Sequence, residues 1–161
     1  MIRYTTPVKK KQSNTGVIAN KRARFDFDLK DTLLAGIVLT GAETRSLREH
    51  HGSLQGAFVT IKDGEAWLMN SLVTPLKTNA AQLPTEVQVR NRKLLLKKRE
   101  LAALIEAKQQ GNTIVPIRIL TRGRFIKLEI AVGRGKKRYD KRQVIKRRDQ
   151  DRDTSRALRS R

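Results

Sequence analysis

The sequence contains no cysteine, so disulfide bonds, zinc fingers and thiol catalysis are excluded. Aromatic residues make up only 4% of the 161 residues and hydrophobic residues 38%, which is low for a chain packed from end to end. The longest runs with neither a charged side chain nor a histidine (32–42 and 66–76) have 11 residues each, too few to span a bilayer. Residues 1–14 lack the apolar stretch of a signal peptide. We therefore expect a cytoplasmic protein with no membrane partner.

Acidic residues are scarce as well: 15 Asp and Glu stand against 36 Lys and Arg, which gives a net charge of +21. Residues 1–22 carry +6, residues 23–132 also carry only +6, and residues 133–161 carry +9. A near-neutral globular centre with basic ends indicates a polyanionic partner, above all a nucleic acid. We divide the chain into a basic N-terminal arm (1–17), a central domain (18–132) that is a candidate nucleic-acid-binding unit, and a basic C-terminal tail (133–161).

Strand patterns dominate the centre of the chain. Two hairpins are predicted from apolar stretches on either side of a turn: 58–61 with 66–69, and 117–120 with 125–132. Pro116 suits the start or the edge of a strand. A buried strand is predicted at 36–40 and a short helix at 42–49. Short strands with tight hairpins and one or two helices predict an OB-like antiparallel β-barrel with flanking α-helices.

One long helix is predicted from about Arg90 to Gln110, because apolar residues recur there at helical spacing and Gly111 supplies a stop. Leu95 and Leu96 lie off the apolar face of this helix. They could pack under a neighbouring strand or loop, or they could form an exposed apolar contact among basic residues. The sequence alone favours packing and leaves both alternatives open.

Three groups of polar residues have the composition of a functional site but not its spacing. His50-His51 are adjacent, so in regular structure they cannot both point at one metal ion. Asp26, Asp28 and Asp31 alternate with apolar residues, which indicates a half-buried strand. Residues 133–137 are glycine-rich and basic but lack the spacing of a phosphate-binding loop. We therefore expect no catalytic residue, no metal and no cofactor.

The C-terminal tail has a helical pattern without an apolar face. Residues 141–158 contain no Pro or Gly, and oppositely charged residues recur there three or four positions apart. Because an isolated helix of this length is marginal in water, we expect a tail that is disordered when free and helical when bound to RNA. The alternative is a tail that is merely solvated.

An ordered set of motifs now points to a family. The motifs are N-K-R-A-R at 20–24, A-G-I-V-L-T-G-A-E at 35–43, S-L-R at 46–48, R-K-L-L-L at 92–96 and G-K-K-R-Y-D-K-R at 135–142. In these motifs and their order the chain resembles the SmpB family of SsrA-binding proteins. The resemblance covers roughly residues 18–158, and its specificity comes from the set rather than from any single motif.

The resemblance implies an OB-like barrel with flanking helices and a flexible tail. It also implies a role in trans-translation, in which the barrel binds the tRNA-like domain of transfer-messenger RNA (SsrA, tmRNA) and delivers it to stalled ribosomes. The tail would probe the empty mRNA channel and the decoding centre formed by 16S rRNA. Elongation factor Tu would take part through the aminoacylated RNA.

The resemblance assigns two sets of site residues by position. The set implied to bind tmRNA is Asn20, Lys21, Arg22, Arg24, Arg92, Lys93 and Leu95. The set implied to contact the ribosome is Gly135, Lys136, Lys137, Tyr139, Asp140, Lys141, Arg142, Lys146, Arg147 and Leu158. For Leu95 the resemblance favours the exposed alternative, and for Tyr139 it implies stacking on ribosomal RNA.

Four positions depart from the family pattern, and two of them, Thr44 and Arg45, replace a common Val-Lys pair in a way that keeps the cation. Leu34 stands where relatives usually carry an acidic RNA-binding residue, so the contact there differs or is lost. Phe27 stands where relatives often carry a tyrosine, which keeps the ring without the hydroxyl. Two other classes of function stay open: a structural ribosomal protein with its basic tail in rRNA, and an RNA-processing enzyme, for which the sequence shows no acid–base cluster.

Overall fold

The computed structural model describes residues 16–159, which form nine strands, five α-helices and one 3₁₀ turn. In chain order the elements are β1 (Val17–Ala19), α1 (Ala23–Asp26), β2 (Phe27–Ile37), α2 (Gly41–Arg48), β3 (Gly52–Ser53), β4 (Phe58–Lys62), β5 (Glu65–Met69), β6 (Leu72–Val73), a 3₁₀ turn (Ala80–Gln82), α3 (Thr85–Gln88), β7 (Arg92–Leu95), α4 (Lys98–Gln109), β8 (Thr113–Leu120), β9 (Lys127–Gly135) and α5 (Arg138–Arg159).

The main sheet closes on itself. Its antiparallel strands run in the order β1-β8-β4-β5-β7-β2-β9, and β9 also pairs with β8, so all of them except β1 form a ring. Apolar side chains fill the interior, and Leu68, Leu128 and Ile130 are each 0% exposed. Leu47 of α2 and Leu104 of α4 belong to the same buried cluster. The predicted OB-like antiparallel barrel with flanking helices is therefore confirmed.

Both predicted hairpins are confirmed as β4–β5 and β8–β9. In the first turn, Asp63 and Gly64 have φ angles of 53° and 73°. Two consecutive positive φ angles are typical of the type I′ turn, for which Asp-Gly is a preferred pair. In β9, Leu128 and Ile130 are buried and Lys127 is exposed, as the alternating pattern predicts.

Pro116 lies near the middle of β8, so the prediction of a strand start or edge is wrong. The register between β8 and β9 shifts between Pro116 and Arg118, and such an irregularity accommodates a residue that has no N–H to donate. The carbonyl of Pro116 accepts from Nδ2 of Asn20 at 3.0 Å, and the carbonyl of Ile117 accepts from the Asn20 N–H at 2.7 Å. The segment after β1 is thereby held against the irregular part of β8.

The predicted helix over 90–110 is wrong in its first third. Residues 92–95 form β7, which pairs with β5 and β2, and the helix starts only at Lys98. The N–H of Lys97 donates to Glu100 Oε2 at 2.9 Å, which satisfies one of the free donors at this helix start. Gly111 follows the helix with φ of 80°, as expected of a glycine stop.

The predicted strand at 36–40 is only the end of a longer one, because β2 already begins at Phe27 and ends at Ile37. The predicted helix at 42–49 is confirmed as α2. Its start is a capping box: the N–H of Glu43 donates to Thr40 Oγ1 at 3.3 Å, and the N–H of Thr40 donates to Glu43 Oε2 at 2.8 Å. Asp26 ends α1 and does not belong to the strand in which the sequence placed it.

The tail helix begins later than the proposed tail. β9 extends to Gly135, so residues 133–135 pair with β2, and α5 starts at Arg138. Two of the predicted charge pairs of α5 are present, Asp149–Arg152 at 3.9 Å and Asp153–Arg156 at 4.0 Å. The predicted disorder of the free tail stays a prediction, and nearly all of the proposed N-terminal arm lies outside the described residues. No helix within 16–159 is long and apolar enough to cross a membrane.

Candidate nucleic-acid interface

A buried ion-pair cluster holds β7 against α2. The carboxylate of Glu43 accepts from Arg90 Nε at 2.8 Å and Nη2 at 2.6 Å, and from Arg92 Nε at 3.0 Å. Arg92 is fully buried and also donates to the carbonyl and hydroxyl oxygens of Ser71, both at 2.8 Å. Because buried charges are tolerated only when they are paired and hydrogen-bonded, this cluster fixes where β7 begins.

The cluster also shifts the pKa values of its members. Burial alone would raise the pKa of Glu43, but hydrogen bonds from Arg90 and the Thr40 N–H, with the charges of Arg92 and Arg90, hold that pKa below its ordinary value. Burial lowers the pKa of Arg92, although Glu43 acts in the opposite direction. The ordinary pKa of arginine lies so far above neutral pH that Arg92 stays charged. Glu43 also stays charged at neutral pH, because its pKa is lowered.

Arg92 is therefore not at the surface where a nucleic acid could reach it, contrary to its place in the expected tmRNA-binding set. Its side chain is 1% exposed and its donors are used within the protein. Arg92 instead stabilises β7, the strand that carries Lys93 and Leu95. Lys93 is half-exposed and forms an ion pair with Glu65 of β5.

Leu95 points outward and is 55% exposed, so of the two alternatives for Leu95 the structure shows the exposed one. Alternation along β7 explains this orientation, since Leu94, its neighbour, is 3% exposed and faces the core. Gly36 lies opposite Leu95 in the β2–β7 register, and a Cβ at Gly36 would lie 3.2 Å from Leu95 Cβ. The glycine thus leaves room for Leu95. Leu96 is partly buried against the core.

Leu95 lines an open cleft of about 830 Å³ on the outer surface of the barrel. The cleft is lined by Thr32, Leu33, Leu34, Gly36, Leu95, Leu96, Lys97, Glu100, Arg118, Leu120, Lys127 and Glu129. Arg118 is paired with Glu129 across β8 and β9, whereas Lys97 and Lys127 are exposed. Apolar side chains with ammonium groups beside them can contact a base or ribose and the adjoining phosphates together.

Leu34 gives this cleft a second exposed leucine. It is 52% exposed and lies opposite Glu129 in the β2–β9 register. A carboxylate at position 34 would stand beside the existing Glu129, and the leucine avoids that concentration of negative charge. The departure from the family pattern therefore enlarges the apolar part of the cleft.

Asn20 organises a second group of expected RNA-binding residues. Its amide nitrogen and backbone N–H are both bonded to β8, as described above, and its carbonyl accepts from the Ala23 N–H at 3.2 Å. This geometry begins α1 and presents the exposed side chains of Lys21, Arg22 and Arg24. A depression of about 280 Å³ lies beside them, lined by Ala19, Asn20, Lys21, Arg22, Ser53 and Gln55.

The base of the tail is tied to α1. The N–H of Lys136 donates to the Asp26 carbonyl at 2.9 Å, and Lys136 Nζ donates to the Arg24 carbonyl at 2.9 Å. Lys141 Nζ donates to Asp26 Oδ1 at 2.8 Å. Two expected ribosome-contacting lysines thus hold the tail to α1, which carries Arg24 of the expected tmRNA-binding set.

The rest of the expected ribosome-contacting set leaves the barrel along α5. Asp140 accepts from the Lys137 N–H at 3.2 Å at the start of the helix. Tyr139 is 58% exposed and Leu158 is 72% exposed. The side chains of Arg142, Lys146 and Arg147 are exposed too, while Gly135 ends β9. The two expected sets therefore lie on connected but different parts of the molecule.

The sequence patterns did not identify two residues that hold the interface together. Glu43 anchors both Arg90 and Arg92, and Asp26 anchors Lys136 and Lys141. The capping-box spacing of Thr40 and Glu43 was a readable signal for a fixed carboxylate. For Asp26 no local signal exists, because its partners lie more than a hundred residues away in sequence. Among residues 16–159, no three His, Cys, Asp or Glu side chains are grouped so as to hold a metal ion.

Comparisons with known proteins agree with this geometry. A family model described as SmpB protein matches residues 17–160. The SsrA-binding protein of Pseudomonas syringae pv. syringae (strain B728a) is 46% identical over 154 residues, which are 94% of this chain and 96% of that protein. The SsrA-binding protein of Roseiflexus sp. (strain RS-1) is 44% identical over 146 residues, covering 90% and 92%. A solved structure described as "tmRNA-SmpB: a journey to the center of the bacterial ribosome" contains a chain that is 34% identical, with a TM-score of 0.64, covering 81% of this chain and 94% of that one.

Proposed function

We propose that this chain, which belongs to the SmpB family, is an RNA-binding factor of trans-translation that binds the tRNA-like domain of tmRNA and delivers it to stalled ribosomes. The observation that carries the proposal is the family match over residues 17–160, which spans the barrel and the tail helix together. The names of the relatives supply the first partner, and the description of the similar structure supplies the second.

The barrel is the tmRNA-binding part in this proposal. The cleft around Leu95 offers two exposed leucines, and the ammonium groups of Lys97 and Lys127 lie at its edge. Lys21, Arg22 and Arg24 extend the basic surface at α1. Apolar contacts would hold unstacked nucleotides while the cations neutralise phosphates, as in other proteins that bind RNA loops.

The tail is the ribosome-contacting part. It would follow the empty mRNA channel as the helix α5, with Tyr139 stacking on 16S rRNA at the decoding centre. The exposure of Tyr139 and Leu158 supports this assignment, since neither side chain is used by the barrel core. Elongation factor Tu would join through the aminoacylated tmRNA, and the protein would act in the cytoplasm without catalysing a reaction itself.

The test is the identity of the RNA that copurifies with the protein. We expect sequencing of that RNA to show tmRNA enriched over bulk tRNA, and we expect the purified protein to prefer the tmRNA tRNA-like domain in a competition assay. Equal affinity for tmRNA and bulk tRNA would contradict the proposal. A structural ribosomal protein would instead stay on ribosomes in high salt and copurify with rRNA only.

A further inference from the structure

The tip of the β8–β9 hairpin, residues 121–126, carries an aromatic side chain that the barrel does not use. Phe125 is 69% exposed, more than any other aromatic side chain within residues 16–159. Its neighbours in the tip, Thr121 and Ile126, are 5% and 6% exposed. Ile126 points into the core, whereas Phe125 lies in the bend that precedes β9 and faces outward. The face of the phenyl ring is thus open to a partner.

The tip is held in one conformation from two sides. Arg48 Nη2, at the end of α2, donates to the carbonyls of Gly123 and Arg124 at 3.3 Å each. The N–H of Thr121 donates to the carbonyl of Gly16 at 2.8 Å. Gly123 has φ of 94°, a conformation open to glycine and strained for other residues. The ring of Phe125 is therefore presented by a braced turn rather than by a loose loop, so little entropy is lost when a partner stacks on it.

The hairpin tip is basic. The guanidinium carbon of Arg124 lies 5.4 Å from the centre of the Phe125 ring, within the range of a cation–π contact. Arg122 and Arg48 add two more cations, and the tip residues include no acidic side chain. With 69% of the side chain still exposed, Arg124 covers only part of the ring. A phenyl ring with arginines beside it is suited to a base and its flanking phosphates.

The tip also adjoins the cleft. Leu120 and Lys127, the residues on either side of it, both line the cleft around Leu95. An RNA strand that leaves the cleft along β8 and β9 would reach Phe125 next.

We propose that the hairpin tip is an additional RNA contact, in which an unpaired base stacks on Phe125 while Arg124 contacts the phosphate beside it. The inference rests on the proposed function, since it assumes an RNA partner on this side of the barrel. The base belongs either to tmRNA or to ribosomal RNA, because both present the same chemistry to the ring. Binding of a protein at the tip is a different proposal, which the test below would reveal.

The first arm of the test measures affinity for the tmRNA tRNA-like domain. With tmRNA as the source, we expect Phe125→Leu, which keeps apolar volume but removes the π-face, to weaken binding about 5- to 100-fold at unchanged salt dependence. Arg124→Gln should weaken binding and lower the salt slope by about 0.7–0.9. Phe58→Leu is the matched control, because Phe58 is also partly exposed (44%) but lies on β4 away from the tip. Equal melting temperatures would show that the variants fold.

The second arm places a photo-crosslinker at the tip by the substitution Phe125→p-benzoylphenylalanine. Crosslinks to tmRNA, or to rRNA in a complex with stalled ribosomes, support the proposal and identify the source. Unchanged affinity together with crosslinks to protein only, or with none, overturns it. If the wild-type protein itself fails to prefer tmRNA, the proposed function fails, and the rRNA crosslinks alone then decide whether the tip binds RNA.

Discussion

Among single residues, Glu43 and Leu95 support the interface in different ways. Glu43 lies beneath the surface and binds Arg90 and Arg92, which fixes β7 from its first residue. Leu95 ends the same short strand and is the side chain that β7 presents to the cleft. The position of Leu95 therefore depends on an ion-pair cluster whose Glu43 and Arg92 side chains lie beneath the surface.

Substituting Glu43→Gln should destabilise the fold. The change keeps the shape of the side chain but leaves the fully buried guanidinium of Arg92 without its counter-charge. We expect a loss of about 3–5 kcal/mol in the free energy of unfolding, measured by urea titration. Glu65→Gln removes the more exposed Lys93 pair and should cost no more than about 1 kcal/mol. Equal losses in the two variants would show that the cluster does not anchor β7.

The lowered pKa of Glu43 predicts how stability depends on pH. A carboxyl whose pKa is lower in the folded state stabilises the protein fully above its unfolded value, which is near 4.5, and loses that contribution as the pH falls through the folded value. We expect the urea midpoint of the wild type to decrease below that pH more steeply than the midpoint of Glu43→Gln. If the urea midpoints of the two proteins changed with pH in parallel, the lowered pKa of Glu43 would be contradicted.

Leu95 should matter for RNA and not for folding. Because the side chain is 55% exposed, Leu95→Asp should leave the melting temperature nearly unchanged while adding negative charge to the cleft. We expect the dissociation constant for the tmRNA tRNA-like domain to rise by about tenfold or more in a filter-binding assay. Val89→Asp is the control, since Val89 is similarly exposed (47%) but does not line the cleft. Equal effects of the two substitutions would show that only net charge matters.

At the scale of elements, the hairpins and α2 could be predicted because their signals are local. Asp63-Gly64 specifies its turn, and the alternation in β9 specifies its buried face. β7 could not be predicted in this way. Its four residues are too few to distinguish the two-residue period of a strand from the 3.6-residue period of a helix, and α4 follows it closely. Its first residue, Arg92, is also a charged side chain in a core position, which sequence patterns assign to the surface. That burial depends on the distant partners Glu43 and Ser71, which accept hydrogen bonds from the guanidinium.

The candidate site was predictable to a similar degree. The motifs identified which segments matter, and the exposure of Leu95 agrees with the family pattern. The motifs did not separate side chains that face a ligand from those that hold the surface in place, such as Arg92 and Asn20. That distinction depends on contacts between segments far apart in the chain.

The end of β9 determines where the tail can be removed. Residues 133–135 pair with β2, so a chain ending at Val132 loses part of the barrel, whereas a chain ending at Lys137 keeps all of it. We expect the Lys137 truncation to keep the melting temperature and the affinity for tmRNA but to abolish peptide tagging on stalled ribosomes. The Val132 truncation should also lower the melting temperature. Tagging at normal rates after truncation at Lys137 would contradict the role assigned to α5.

At the scale of the whole molecule, the charge of +21 is separated by position rather than spread evenly. Residues 1–22 and 133–161 carry +15 of it, while the 110 residues between them carry +6. The barrel can therefore distinguish one RNA from another by shape and by apolar contacts. The tail depends more on charge, because none of the α5 side chains that the structure describes is buried.

This separation predicts different salt dependences for the two RNA partners. Each phosphate contact contributes about −0.7 to −0.9 to the slope of log K against log salt. If α5 contacts the ribosome and not tmRNA, truncation at Lys137 should leave the slope for the tmRNA tRNA-like domain unchanged. The slope for ribosomes with an empty mRNA channel should become shallower by several units, because residues 138–161 include 10 Lys and Arg against four Asp. Both slopes can be measured by titrating potassium chloride in the same binding assay. A fall of equal size in the two slopes would mean that the tail binds RNA without distinguishing the partners, and the division of work between barrel and tail would then be wrong.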